Sequence, residues 1–231
     1  MEKKAWLNKG KSYFSEVLLE TVSSDFSTSL SVCMTHGRYQ LYTDKVVYSY
    51  EDLYKNFKIT ADKIDWKAFR PKNILVLGLG LGSVIQIIEK KNKQPLFFTA
   101  VDIDEAVLYL VQKYTASKFR SPIEYIHADA QIFIAQNNVK YDLILFDIFI
   151  DDLVPPKFET LVITKKLASA LAPNGLLLYN RIAIEPEHIM RNMDYFDRVF
   201  NKVFPQAEFV NVKYNWVLVS DGSRLKKGLI V

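Results

Sequence analysis

The chain has 231 residues, of which 49% are hydrophobic, and its formal net charge is +4. This length allows one large hydrophobic core or one core with a small appendage, and the small charge excess does not indicate a nucleic-acid-binding protein. A single cysteine, Cys33, excludes an intrachain disulfide and a cysteine-rich zinc site.

No apolar run reaches the ~20 residues that are needed to cross a bilayer. The first residues, from Met1 to Trp6, lack the apolar segment of a signal peptide. The histidines His36, His127 and His188 are too scattered to predict a metal site. We therefore expect a cytoplasmic protein that holds no metal and does not bind a membrane.

Near the N-terminus, short β segments alternate with turn residues. The apolar and aromatic segments lie at 30–34, 39–42 and 46–48, and the turns at 36–38 and 43–45. The pattern predicts a small antiparallel β module over residues 1–69. The junction to the rest of the chain is expected at 70–73.

After this junction, strands alternate with amphipathic helices. The predicted strands are 74–77, 97–101, 123–126, 142–146 and 176–179, and 209–212 with 216–219 form a terminal hairpin. Such alternation predicts an α/β fold with a Rossmann-like, doubly wound, mostly parallel sheet over residues 70–231. The carboxyl ends of the parallel strands then share one edge, where such folds bind ligands.

A glycine-rich turn follows the first of these strands. Gly78, Gly80 and Gly82 stand between the strand and its helix, where the chain turns sharply and a ligand can approach the backbone. A tight turn without a ligand would use the same residues. Taken alone, the turn therefore does not establish a binding site.

An acidic pair follows the second strand. Asp102 lies 24 positions after Gly78, close to the ~20 expected for a carboxylate that accepts both hydroxyls of a ribose. Asp104 precedes Glu105 and an apolar periodic run, so we expect it to cap the next helix.

Asp129 and Ala130 follow the third strand. The Asp129 carboxylate can accept a hydrogen bond from the exocyclic amine of adenine, and the Ala130 amide can donate to a ring nitrogen. An N-cap for the next helix is the alternative role of Asp129. Taken with the glycine turn and Asp102, this position favours a nucleoside without phosphates, and the pattern is typical of class I S-adenosylmethionine-dependent methyltransferases.

Within that group, the whole chain resembles the spermidine synthase family and its spermidine synthase-like relatives. The segments that carry the resemblance are Val76–Gly80, Val101–Asp104 and Tyr141–Asp147, and more loosely Tyr39–Tyr54. The resemblance implies that Asp102 holds the ribose, that Asp129 and Ala130 hold the adenine, and that Asp147 stands at the reacting centre. It also implies a homodimer.

The chain departs from the family's pattern around the transferred group. The aminopropyltransferases carry an aspartate inside the glycine turn, where this chain has Leu81, and the second acid of their loop after strand four is displaced here to Asp151 and Asp152. We predict acceptor contacts for Tyr54, Asp151 and Asp152, with a solvated acidic rim as the alternative for the two aspartates. Asn180, after strand five, is expected to form a turn.

Three functions follow from these observations. The first is methyl transfer from S-adenosylmethionine to a small or protein-borne nucleophile, with Asp147 orienting the nucleophile and accepting its proton. The second is aminopropyl transfer from decarboxylated S-adenosylmethionine to an unusual amine, and the third is nucleoside binding without catalysis. The departures at Leu81 and Asp151 favour methyl transfer, and the resemblance implies an amine as acceptor.

Overall fold

The structure is a computed structural model that describes residues 2–27, 29–43, 47–150 and 152–226. Within this part of the chain, no helix is both long and apolar enough to cross a membrane. The fold is α/β, as predicted, and contains a four-stranded antiparallel sheet and a seven-stranded, mostly parallel sheet.

The antiparallel sheet is formed by the N-terminal part of the chain. A helix, α1 (Glu2–Lys11), precedes four strands that pair in sequence order. The strands are β1 (Val17–Val22), β2 (Leu30–Thr35), β3 (Arg38–Tyr42) and β4 (Val47–Ser49). The last three correspond to the predicted segments, except that Val46 lies outside the described residues. The sequence reasoning did not foresee α1 and β1.

The seven-stranded sheet has the order β10-β11-β9-β8-β5-β6-β7. Its strands are β5 (Asn73–Leu77), β6 (Phe97–Asp102), β7 (Ile123–His127), β8 (Tyr141–Phe146), β9 (Leu171–Ile182), β10 (Glu208–Val212) and β11 (Asn215–Val219). Strands β5 to β9 are parallel, and β11 pairs antiparallel with β9 and β10, as the terminal hairpin predicts. Because β5 lies between β6 and β8, the chain reverses its winding direction there, which is where ligand crevices form.

Helices precede and connect the strands of this sheet. They are α2 (Lys55–Lys63), α3 (Ser83–Lys91), α4 (Glu105–Tyr114), α5 (Ala130–Gln136), α6 (Leu161–Ala170) and α7 (Pro186–Tyr195). Helix α7 continues through a π-helical turn, Phe196–Phe200, and a last short turn, Asn201–Val203. Single 3₁₀ turns lie at Glu51–Leu53, Ala116–Lys118, Pro156–Phe158 and Gly222–Arg224.

The central strand β5 is buried on both faces. Ile74 and Val76 belong to the core on one face, and Leu75 and Leu77 to the core on the other. This alternation explains why the strand reads as a continuous apolar run. The first core also contains Leu30, Val32 and Leu41 of the antiparallel sheet, so the two sheets share one apolar interior. The division at residues 69 and 70 remains a prediction.

Strand β9 begins earlier than the sequence indicates. The chain enters β9 at Leu171, directly after helix α6, and the pairing with β8 is irregular between Tyr141 and Leu143, where β9 carries the turn-forming residues Pro173, Asn174 and Gly175. Asn174 has a φ of 62°, in the left-handed region that asparagine tolerates better than most residues. The breaker residues therefore form a bulge rather than a loop.

Candidate active site

The predicted nucleoside residues meet at one cavity of about 1160 Å³ along the carboxyl ends of the parallel strands. Its wall includes seven of the residues singled out in the sequence, namely Tyr54, Gly78, Gly80, Asp102, Asp129, Ala130 and Asp147. The antiparallel sheet and its 3₁₀ turn contribute to the same wall through Val47, Tyr50 and Leu53. The site is therefore built from both parts of the chain.

The glycines of the turn differ in their surroundings: Gly78 lines the cavity, whereas Gly82 does not. A β-carbon at Gly78 would overlap the carbonyl oxygen of Asp147, so glycine is required for the close approach of the β8 loop. Gly82 caps α3 with a φ of 73° and packs against the Phe119 ring, away from the cavity wall. Its role is therefore packing of the turn, which corrects the prediction of a ligand contact.

Leu81 does not face the cavity either. Its side chain is fully buried in the core that α3 covers, and its carbonyl oxygen accepts a hydrogen bond from the Thr115 hydroxyl at 2.9 Å. The apolar residue at this position is therefore part of the hydrophobic core. The lack of an acid at position 81 is consequently weak evidence about the charge of the ligand.

Asp102, at the end of β6, is held by backbone amides. Its Oδ2 accepts a hydrogen bond from the Leu79 amide at 2.8 Å, and its Oδ1 accepts one from the Asp104 amide at 3.0 Å. Burial raises the pKa of Asp102 to about 6, against the lowering effect of these bonds. Asp104 caps α4 by accepting from the Ala106 amide, as its position predicts.

Asp129 combines the two roles that the sequence left open. Its Oδ1 accepts from the Gln131 amide at 2.7 Å and so caps α5, while its Oδ2 pairs with the Lys157 ammonium at 2.6 Å. Burial acts to raise the pKa of Asp129, but the Lys157 contact and the bonds from the backbone amides together lower it below its ordinary value. Lys157 also lines the cavity, although no motif in the sequence points to it.

Asp147, directly after β8, is the centre of a hydrogen-bond network. Its Oδ1 accepts from the Tyr54 hydroxyl at 3.1 Å and from the Asn180 side-chain amide at 2.9 Å. Asn180 in turn accepts a bond of 3.1 Å from the side-chain amide of Asn215. Burial raises the pKa of Asp147 to about 7, and the two donors offset only part of this rise.

This network fixes the side chains on both sides of the cavity. Asn180 is fully buried within β9, so the prediction that it forms a turn was wrong. Burial, and secondarily the Asp147 carboxyl, raises the pKa of Tyr54 well above its usual value. Tyr54 therefore stays a hydrogen-bond donor to the carboxylate. A carboxyl with a pKa near 7 beside a cavity suits general base catalysis.

The remaining acids are placed elsewhere. Asp152 is exposed, and its Oδ2 lies 3.6 Å from Nε2 of His188, away from the cavity wall. Its described position does not support the predicted acceptor contact, which stays a prediction. Asp151 lies outside the described residues. In the part of the chain with described coordinates, no group of three or more His, Cys, Asp or Glu side chains is arranged to hold a metal ion.

Comparison with known proteins identifies the family. The family model for the spermine/spermidine synthase domain matches residues 49–221, well over half of the chain. The chain belongs to the spermine/spermidine synthase family. The matched region begins in β4 and ends just after β11, so it contains every described residue of the Asp147 network.

Individual relatives of this spermine/spermidine synthase family member agree with that assignment. A polyamine aminopropyltransferase from Vibrio vulnificus (strain CMCP6) is 24% identical over 226 residues, which cover 85% of this chain and 72% of that protein. The crystal structure of a probable spermidine synthase from Corynebacterium glutamicum ATCC 13032 superposes with a TM-score of 0.74 at 15% identity. That match covers 92% of this chain and 83% of the other.

A methyltransferase shares the same fold. Human methyltransferase-like protein 13, solved in complex with SAH, superposes with a TM-score of 0.58 at 21% identity, covering 75% of this chain and 82% of the other. At these identities the structural matches show the fold alone. The sequence matches, by contrast, favour aminopropyl transfer over the methyl transfer that the sequence analysis placed first.

Proposed function

We propose that this protein is a spermidine synthase-like aminopropyltransferase, which transfers the aminopropyl group of decarboxylated S-adenosylmethionine to an amine. The observation that carries the proposal is the buried carboxyl of Asp147, held by Tyr54 and Asn180 on the wall of the cavity. Membership of the spermine/spermidine synthase family supports the same chemistry.

The nucleoside end of the cavity fits an adenosyl group. Gly78 leaves room beside the backbone, and the Asp102 carboxylate, with one backbone donor on each oxygen, keeps lone pairs for two ribose hydroxyls. Asp129 and the Ala130 amide stand where an adenine edge would be recognised. Lys157 would have to share or leave the Asp129 carboxylate when the base binds.

The Asp147 end of the cavity fits an attacking amine. The tyrosine and asparagine bonds both reach Oδ1, so Oδ2 accepts no hydrogen bond from the residues that the structure describes. This oxygen can orient an ammonium and take its proton. The amine nitrogen would then bond to the aminopropyl carbon while the carbon–sulfur bond breaks, and methylthioadenosine would leave.

A donor without a carboxylate suits this site better than S-adenosylmethionine. S-adenosylmethionine carries a carboxylate that the decarboxylated donor lacks. A second carboxylate near Asp147 would raise the electrostatic cost of ionising that group. The absence of an acid at position 81 does not oppose this proposal, because Leu81 faces the core.

The test is a side-by-side titration of four nucleosides, followed by a transfer assay. Decarboxylated S-adenosylmethionine and methylthioadenosine should bind at least tenfold more tightly than S-adenosylmethionine and S-adenosylhomocysteine. With the decarboxylated donor and a panel of primary amines, methylthioadenosine should be released. Preference for S-adenosylmethionine, with methyl transfer to an amine, would restore the first of the three functions.

A further inference from the structure

The terminal hairpin meets the cavity at its turn. Strands β10 and β11 are joined by Lys213 and Tyr214, and the carbonyl oxygen of Tyr214 accepts a hydrogen bond of 2.7 Å from the amide of Ala183, directly after β9. This bond holds the turn against the end of β9. As a result, Tyr214 and Asn215, the first residue of β11, line the cavity.

Antiparallel pairing places Asn215 beside Asn180. Val217 of β11 is the direct partner of Asn180 in β9, and Asn215 lies two residues before Val217, on the same face of its strand. Such diagonal neighbours on two strands are close enough for polar side chains to meet. The side-chain amide of Asn215 donates a hydrogen bond of 3.1 Å to Oδ1 of Asn180, and both side chains are buried.

The side-chain amide of Asn180 has two orientations of nearly the same shape. In one of them Nδ2 faces the Asp147 carboxylate, and in the other, after the amide has turned over, Oδ1 faces it. An ionised carboxylate only accepts hydrogen bonds, so the second orientation sets two acceptors against each other. The donor on Asn215 favours the first orientation, because it needs Oδ1 of Asn180 as its acceptor.

The ionisation of Asp147 depends on the donors around it. Burial raises its pKa to about 7, and the bonds from Asn180 and Tyr54 work against this rise. Tyr54 stays a donor at neutral pH, because its own pKa lies well above the usual value. If Asn180 turned its oxygen towards Asp147, one of the two donors would be lost and an acceptor would take its place. The protonated form of Asp147 would then be favoured further.

The charged side chains of the cavity wall do not determine this balance. The start of α2 and the residue before it bring Lys55 and Tyr54 to the wall, the hairpin turn brings Tyr214, and the described loop after β8 brings Lys157. Of these, only Tyr54 contributes to the pKa shift of Asp147. Among the described residues, neither β9 nor the glycine turn adds a titratable side chain to the wall. Burial and two hydrogen bonds therefore set the state of this carboxyl.

We propose that Asn215 is a positioning residue, which fixes the side-chain orientation of Asn180 so that Asn180 donates to Asp147 and stabilises its carboxylate form. Asn215 acts on Asp147 through Asn180 and not by contact with the reacting atoms. Its importance for catalysis rests on the aminopropyl transfer proposed above. Its effect on the ionisation of Asp147 does not, because that effect is a property of the unliganded protein.

A matched pair of variants tests the hydrogen bond from Asn215. Asn215→Leu removes it with a side chain of similar size, and Asn215→Gln keeps an amide donor. Infrared difference spectroscopy follows the C=O band of the protonated Asp147 carboxyl as the pH rises, and Asp147→Asn identifies that band by its loss. Ionisation should occur near pH 7 in the wild type and in Asn215→Gln. In Asn215→Leu it should occur about one pH unit higher, because a hydrogen bond to a charged group is worth at least that much. Unchanged ionisation in Asn215→Leu, or an equal shift in both variants, would overturn the proposal.

A second substitution tests whether the effect passes through Asn180. In an Asn180→Leu background, Asn215→Leu should move the ionisation of Asp147 no further. A full additional shift would mean that the leucine at position 215 acts on Asp147 directly, and the positioning role would be wrong. Circular dichroism at each pH checks that the variants are folded.

A measurement on the wild-type protein does not depend on the stability of any variant. In ¹⁵N NMR, the side-chain amide protons of Asn180 and Asn215 should both shift with the inflection near pH 7 at which Asp147 ionises. Side-chain amide signals of Asn215 that do not change over this range would refute the coupling.

The transfer assay separates this proposal from the proposed function. With the decarboxylated donor and an amine, kcat of Asn215→Leu should be about tenfold below the wild type at about pH 6 and close to it at about pH 9. A rate that is lower by the same factor at every pH would indicate a merely structural role and contradict the proposal. If the wild type transfers no aminopropyl group, the proposed function is wrong, while the infrared titration still decides the role of Asn215.

Discussion

The proposed catalytic role of Asp147 and its contribution to folding stability place opposite demands on this carboxyl. Its pKa in the folded protein is about 7, above the ordinary value of 3.8, so the fold favours the protonated carboxyl. The stabilisation from this group is therefore present below about pH 4 and is lost as the pH rises through 7. The proposed role as proton acceptor needs the ionised form, which is populated in the folded protein only near and above neutral pH.

We predict opposite effects of Asp147→Asn on the two properties. Transfer should fall at least 100-fold, because the proton acceptor is lost, and the rise of the wild-type rate with pH through about 7 should disappear. The free energy of unfolding should increase by roughly 2–4 kcal/mol at pH 8.5 and change little at pH 4.5. Urea denaturation at both pH values measures this, with Asp152→Asn as the control. An equal change at the two pH values would contradict the assignment of the pKa.

Asp102 allows a test of nucleoside binding that does not depend on turnover. Asp102→Ala removes the carboxylate proposed to hold the ribose, and the loss of a charged hydrogen-bond pair should weaken methylthioadenosine binding by roughly 1.5–3 kcal/mol. The substitution also leaves the Leu79 and Asp104 amides without their acceptor, so thermal unfolding should be recorded beside the calorimetry. A folded variant with unchanged affinity would remove Asp102 from the ribose role.

The sequence was sufficient to predict those residues of the candidate site that come at or directly after the end of a strand. Asp102, Asp129 and Asp147 could be chosen because parallel strands end at one edge, whatever their order. The bonds from Tyr54 and Asn180 to Asp147 could not, because they join residues 93 and 33 positions apart. They depend on where the antiparallel sheet and the terminal hairpin pack, and local periodicity carries no information about that.

At the level of elements, a buried ion cluster joins the loop after β8 to helix α7. Glu159 pairs with Arg181 of β9, which is only 2% exposed, and with Arg191 of α7. Arg191 also donates to the carbonyl oxygen of Val154 at 2.9 Å. This cluster holds the segment that carries Pro155 and Lys157 against the cavity.

We predict that Glu159→Gln destabilises the protein by about 3–5 kcal/mol, because it leaves the buried guanidinium of Arg181 without its counter-charge. The control is Asp194→Asn, which breaks an exposed pair with Arg198 and should cost about 0.5 kcal/mol or less. Chemical denaturation of the three proteins at pH 7 measures the difference. A Glu159→Gln variant within about 1 kcal/mol of the parent would show that the cluster does not hold this segment.

The elements that the sequence predicted well are those with strong local signals. Strand β5 is a continuous apolar run, and α4 carries apolar residues at helical spacing, so both were found with small errors at their ends. Helix α2 was not predicted, although Phe57 and Ala61 are fully buried. Most residues of this helix are polar, so its narrow apolar face gives only a weak periodic pattern. The bulge in β9 lies just before the predicted strand 176–179 and was not predicted, since asparagine and glycine are common in loops and in bulges alike.

For the whole molecule, the N-terminal sheet does more than extend the core. Tyr54 and Leu53 follow it directly and line the cavity, so the sheet positions one wall of the site. A surface on the same part of the chain remains exposed, with Trp6 at 77%, Phe14 at 95% and Leu18 at 60% of their free area. Leu18 lies on β1, the edge strand of the antiparallel sheet. Large exposed apolar side chains and an unpaired strand edge are each typical of an interaction surface.

We predict that the protein is a homodimer that associates through this N-terminal surface. Burying three large apolar side chains from each copy, and covering the β1 edge, would stabilise the pair, whereas the monomer leaves them in water. Sedimentation velocity at micromolar concentration should give a dimer of 26.7 kDa subunits.

Phe14→Glu should shift the equilibrium towards monomer without loss of fold, because Phe14 has almost no contact within its own chain. Met190→Glu, on the exposed face of α7, serves as the control and should leave the dimer intact. A wild-type monomer at this concentration would refute the dimer, and equal effects of the two substitutions would place its interface elsewhere.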